Sequence, residues 1–132
     1  MAVRIVRLGS KREKDEGLRI GTVRFLPRGV PKAEYAKRDL FDVWLPNLAP
    51  SAATLKEARP DATDARSWSA FVRRYRKEMK APGASKLLDL LAALSRTTDF
   101  SVGCYCADET RCHRSVLREL LVERGAKLAP PV

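Results

Sequence analysis

No stretch of this chain approaches the roughly 18–20 consecutive apolar residues that a transmembrane helix needs, so a membrane-spanning helix is excluded. The N-terminal segment does not build an apolar signal core either, because Lys11, Arg12, Glu13, Lys14, Asp15 and Glu16 interrupt it early. The expectation is a cytoplasmic protein with no membrane partner. Histidine is nearly missing, at one copy, and cysteine is scarce, at three. An odd cysteine count without an export signal favours reduced thiols over a disulfide framework. The familiar catalytic signatures are missing too. There is no G-x-G-x-x-G, no Walker loop, no H-E-x-x-H and no G-x-S-x-G. A phosphatase loop of the form H-C-x5-R is excluded because Cys112, not arginine, stands six residues after Cys106. Internal repeats, arginine-rich repeats and aromatic-basic motifs are also lacking, and the only biased segment is the tail over 126–132.

The sequence has 132 residues, 45% of them hydrophobic, which suits one domain over residues 1–132 whose core closes without disulfide or metal staples. Lysine and arginine total 26 against 16 acidic residues, a net charge of +10. That balance points toward polyanionic partners, a phosphorylated small molecule or nucleic acid, although such charge also serves solubility alone.

Short β-branched runs and amphipathic runs alternate along the chain. Val3–Leu8 and Arg19–Phe25 read as strands, the second stopped by Pro27 and Gly29. Pro31 opens a short helix through Tyr35, and Phe41, Val43 and Leu45 alternate as a short strand ended by Pro46. Ser51 caps a helix over Ala52–Ala58, and Arg59–Arg66 is polar and irregular. Trp68, Phe71, Val72, Tyr75 and Met79 share one helical face; Arg73, Arg74, Arg76, Lys77 and Lys80 cover the other. Ser85 caps a leucine-rich helix reaching Leu94. Asp99–Ala107 reads as a buried strand, and a last helix runs from about Cys112 to a C-cap at Gly125. The fold expected is an α/β domain of three layers, with a largely parallel central sheet flanked by helices. Ligands bind such sheets outside the carboxyl ends of the strands, which directs attention to the loop after the Phe100–Cys106 strand.

All three cysteines and the only histidine fall in that region, between Cys104 and Arg114. Cys104 and Cys106 should share one face of the strand, about 6.6 Å apart at Cα. Cys112 and His113 fall at a helix start, where free N–H groups favour anions and lower a thiol's pKa. Three readings stand open. The first is an anion or nucleotide site with His113 as acid/base and Cys112 or Cys106 as nucleophile, served by Arg111 and Arg114. The second is a zinc site of Cys104, Cys106, Cys112 and His113, whose C-x-C-x5-C-H spacing is not a usual one. Consecutive helical residues diverge by about 100°, which sets Cys112 and His113 apart and favours a metal-free protein. The third is a pair of packed cysteines and a capping histidine. Among the thiols, Cys112 is expected to be the most reactive, through the helix terminus and Arg111.

Arg24-Phe25-Leu26-Pro27-Arg28-Gly29, Trp44-Leu45 with Leu48-Ala49-Pro50-Ser51, Arg59-Pro60-Asp61, the Trp68–Met79 helix and Cys112-His113-Arg114 occur in this order over about residues 3–124. In these blocks the chain resembles the YeaO-like family of unknown function, within a superfamily that shares the C-terminal Cys-His-Arg signature. The resemblance implies a compact α/β domain with no assigned activity and no cofactor. Val23 stands where that family often has aspartate, and Leu26 where it has tryptophan. Its members often lack the cysteines, so the resemblance favours His113 and the arginines. The functional expectation is a ligand-binding domain or small enzyme acting on a phosphorylated or nucleotide-like anion. Arg24, Arg28, Arg111 and Arg114 would supply charge and His113, Cys112 and Cys106 the chemistry, without a metal. The alternative is a nucleic-acid-binding module without catalysis, resting on the basic face of the Trp68–Met79 helix.

Overall fold

The computed structural model describes residues 1–58, 64–106 and 108–130. The polar stretch beginning at Arg59, with the Arg59-Pro60-Asp61 block, and Ala107 lie outside the described residues. Four short strands, β1 (Val3–Arg7), β2 (Leu18–Gly21), β3 (Val43–Trp44) and β4 (Phe100–Cys104), form one sheet in the order β1-β4-β2-β3. Every pairing is parallel. Helices α1 (Ala52–Ala58), α2 (Ala65–Glu78), α3 (Pro82–Leu94) and α4 (His113–Glu123) flank it, so the α/β class and parallel sheet expected from the sequence are what forms.

β4 is one of the two inner strands, and all five of its residues are buried. It pairs with β1 from Val3↔Phe100 to Arg7↔Cys104 and with β2 from Leu18↔Phe100 to Gly21↔Gly103. Gly103 has a steric reason: a Cβ there would run into the Val6 carbonyl oxygen of β1. Val3, Ile20, Phe100 and Val102 meet Phe71, Tyr75, Leu88, Leu91, Val116, Leu117 and Leu121 in the main core, which draws on every helix. The apolar face of α2 is thus the stripe read from the 3.6-residue period.

Several boundaries differ from the sequence expectation. β2 ends at Gly21, not Phe25. Beyond it Thr22 still donates N–H to the Gly103 carbonyl at 2.9 Å, but Arg24 turns inward onto carbonyls of the 46–50 turn. The short helix after Pro31 is one 3-10 turn, Lys32–Glu34. α3 begins at Pro82 with Ala81 as N-cap, because proline fits the first helical turn, and Ser85 lies inside the helix. Ser51 caps α1 as expected, its Oγ accepting from Thr54 N–H at 3.1 Å. Gly125, at φ +84°, closes α4.

The other face of the sheet carries a buried ion pair. Arg19 is 0% and Glu16 1% exposed. The guanidinium donates to both Glu16 carboxylate oxygens at 2.7 and 2.9 Å and to the Ser10 and Asp39 carbonyls at 2.8 and 2.6 Å. Ser101 of β4 adds an O–H bond to Glu16 at 2.7 Å. Burial pushes the Glu16 carboxyl up, but the bonds from Arg19 and Ser101 outweigh it and hold it below the usual range. Removing one partner leaves an uncompensated buried charge. Arg19→Met should therefore lower stability by about 3–5 kcal/mol in urea denaturation. Arg74→Ala, which breaks the exposed Arg74–Glu57 pair at 2.9 Å, should cost no more than about 1 kcal/mol. Equal losses would contradict this assignment.

Candidate functional site

The chain leaves the sheet at the carboxyl end of β4, turns through Cys106 and a 3-10 turn (Glu109–Arg111), and enters α4 at His113. Asp108 organises the turn, accepting from Thr110 N–H at 3.0 Å and Thr110 O–H at 2.6 Å. Glu109 then takes two bonds from Arg118 of α4, at 3.0 and 2.8 Å, tying the turn to the helix. This fold brings the sulfurs of Cys104, Cys106 and Cys112 within 4.8 Å of one another, close enough to share one metal ion. Cys104 and Cys112 are buried and Cys106 is exposed.

The three thiols are not equivalent. Hydrogen bonds from Cys104 and then Cys112 stabilise the Cys106 thiolate and, with the Arg114 charge, pull its pKa far below the ordinary value despite partial burial. Cys104 is pushed far up by the bonds it makes to Cys106 and Cys112, and then by burial. At Cys112 a bond from Cys104 favours the thiolate, but bonding to Cys106 and burial outweigh it and raise the thiol to about 11. Burial counts against Cys112 as the most reactive thiol. Cys112 does stand at the N-cap of α4, but it is 1% exposed and faces sulfur and core, not solvent.

His113 is 7% exposed, with its ring edge-on to Tyr75 at 5.5 Å between centroids. Nε2 lies 2.7 Å from the Thr22 carbonyl oxygen. That oxygen can only accept, so the proton sits on Nε2 and Nδ1 carries the lone pair. Nδ1 faces Cys112 Sγ at 3.8 Å. Arg114, 3% exposed, donates from Nη2 to the Cys106 carbonyl at 2.5 Å. Its Nε is buried and has no hydrogen-bond partner among the described residues.

A family model matches residues 3–125, and its description is DUF488-N3a, the active DUF488-N3 subclade. The chain belongs to this subclade. No curated protein and no solved structure matches it. The YeaO-like resemblance is corrected accordingly. Its blocks are short and fall inside the matched span, and one position that departed from it has its own explanation here. Val23 is buried in an apolar cluster with Leu8, Phe41, Cys104 and Cys112, a place that suits no carboxylate. With that resemblance gone, its implication that the cysteines are incidental goes too.

The arginines named from the sequence do not gather at one point. Arg24 donates to the carbonyls of Pro50, Pro46 and Ala49 at 3.0, 3.0 and 3.1 Å, bracing a turn. Arg28 is exposed on its loop, and Arg111 lies over the Trp68 ring with Cζ 5.8 Å from the centroid. Arg114 bonds the Cys106 carbonyl of the thiol turn. On α2, Arg74 pairs with Glu57 and Arg76 with Glu119 and Glu123 at 2.8 and 2.9 Å, which neutralises part of the basic face. Among the described residues no helix is long and apolar enough to cross a membrane. Thr22 was not foreseen, since a backbone carbonyl leaves no mark in residue identity.

Burial, working against the Thr22 carbonyl and the Cys106 charge, lowers the His113 pKa from its ordinary 6.5 to about 4. Between these values the unfolded chain binds a proton that the folded chain refuses. The stabilisation is full above pH 6.5 and is lost as pH falls toward 4. With one histidine in the chain, an NMR titration of the imidazole reads this directly. An inflection near 4 is expected, and one near 6.5 contradicts the burial of the ring.

Proposed function

We propose that this domain is a small thiol enzyme acting on a phosphorylated or nucleotide-like anion, with the Cys106 thiolate as nucleophile. One observation carries the reading. The single exposed cysteine lies within 4.8 Å of two buried sulfurs, beside the Arg114 guanidinium that holds its carbonyl, at the carboxyl edge of a parallel sheet, a setting that favours its thiolate. Thiolate, not thiol, is the nucleophile, and a partly exposed, electropositive setting distinguishes a reactive cysteine from a packed one. The description of the subclade as active is in keeping with catalysis.

The other residues take narrower roles. Arg114 holds the backbone of Cys106, and its charge favours both the thiolate and an anion beside it. His113 is a positioning residue, with Nε2–H fixed on Thr22 and Nδ1 available to the Cys112 thiol. Cys104 and Cys112 act as sulfur donors that hold the charge on Cys106. The anionic substrate class rests on Arg114 and the net charge of +10. The reading of the chain as a nucleic-acid module without catalysis gives Cys106 no work to do, and two arginines of α2 are already paired with acids.

A ligand that binds only the folded state raises its melting temperature. Nucleoside mono- and triphosphates should therefore raise the melting temperature of the reduced protein, while the parent nucleosides should not. Cys106→Ser should retain the shift and lose turnover of whichever compound shifts it. No shift across the phosphorylated compounds would overturn the substrate class. One zinc per chain, with Cys106 inert to alkylation, would replace the nucleophile with a metal site built on the three sulfurs.

A further inference from the structure

We propose that Cys106 is a reversible oxidation site, at which a hydroperoxide converts it to a sulfenic acid that Cys112 captures as an intramolecular disulfide. The inference rests on the thiolate reading of Cys106 and extends it. Its geometric basis is the arrangement of the three sulfurs, all within 4.8 Å, with one open to solvent and two shielded. A small oxidant reaches Cys106 first, and a resolving thiol already waits beside it. Redox-sensitive cysteines have this combination of accessible thiolate and nearby partner.

The chemistry closes with hydrogen peroxide as oxidant. The Cys106 thiolate attacks one peroxide oxygen, the O–O bond breaks and hydroxide leaves. The sulfur, oxidised by two electrons, becomes S–OH. Cys112 Sγ then attacks the Cys106 sulfur, the S–O bond breaks, and the departing oxygen leaves as water with the Cys112 proton. His113 Nδ1, 3.8 Å from Cys112 Sγ, can take that proton in passing. A dithiol reductant restores both thiols by exchange.

Cys112 is the better partner than Cys104. Cys104 is the last residue of β4 and is held in the sheet by the bond from Leu8 N–H to its carbonyl, 2.8 Å. It is separated from Cys106 by Tyr105 alone, so a bond between them would close a short ring with little backbone freedom to reach disulfide geometry. Cys112 lies across the turn, and Cys106, in neither strand nor helix, is free of regular pairing.

Tryptic cleavage after Arg96, Arg111 and Arg114 puts Cys104 and Cys106 in one peptide and Cys112 in another. Reduced full-length protein treated with stoichiometric hydrogen peroxide should lose two of the thiols that alkylate after denaturation. The two peptides should become covalently linked, and dithiothreitol should separate them. With a second equivalent of peroxide, Cys112→Ser should instead carry Cys106 on to sulfinic acid, which dithiothreitol does not reverse. A Cys104–Cys106 bond, or sulfinic acid in the natural sequence without linkage, would overturn the inference. If Cys106 alkylates rapidly with iodoacetamide in the same samples, the thiolate reading survives that failure; if it does not, both fall.

Discussion

A single backbone carbonyl, that of Thr22, organises the business end of this molecule. Just past β2, Thr22 donates its N–H and its hydroxyl to the Gly103 carbonyl of β4, at 2.9 and 3.0 Å. Its own carbonyl receives Nε2–H of His113, the first residue of α4. Two strand ends and a helix start are thereby fixed to one another through a single residue. The same bond sets the imidazole tautomer, so the lone pair on Nδ1 faces Cys112 and not solvent. With α4 anchored in this way, Cys112 falls beside Cys104 and Cys106 by geometry. A buried carbonyl of this kind needs a donor, and His113 supplies it.

The sheet supports that arrangement from its other face. A fully buried guanidinium–carboxylate pair is expensive to desolvate, and apolar residues of the same shape often replace one without loss. Arg19 and Glu16 offset that cost by leaving few bonds unmade. They reach Ser10, Asp39 and Ser101, so the segment before β2 and the turn before β3 are tied to β4. The outcome is a sheet with an apolar core on one face and a polar lock on the other, each holding β4 in place.

Much of this was legible in the residues themselves. Trp68, Phe71, Val72, Tyr75 and Met79 declared their helix by spacing, and Tyr75 is core, with its hydroxyl given to the Leu48 carbonyl at 2.7 Å. Ser51 and Gly125 marked ends correctly because caps are local chemistry. That the three cysteines meet at the carboxyl end of β4 followed from their clustering in the sequence. The surroundings of each thiol did not follow. A helix start predicts a lowered pKa for Cys112, but burial and its sulfur neighbours push that thiol up, and both arise only once β4 and α4 meet. Arg24 misled for a similar reason: the 46–50 carbonyls that it satisfies are remote in sequence.

The proposed thiolate at Cys106 is read by alkylation with iodoacetamide, followed thiol by thiol as pH is lowered below neutrality. Cys106 should be modified first and keep reacting in mildly acidic solution, while Cys104 and Cys112 stay protected until the protein unfolds. Faster modification of Cys112 than of Cys106, or a Cys106 rate that falls away as an ordinary thiol's does, would contradict it.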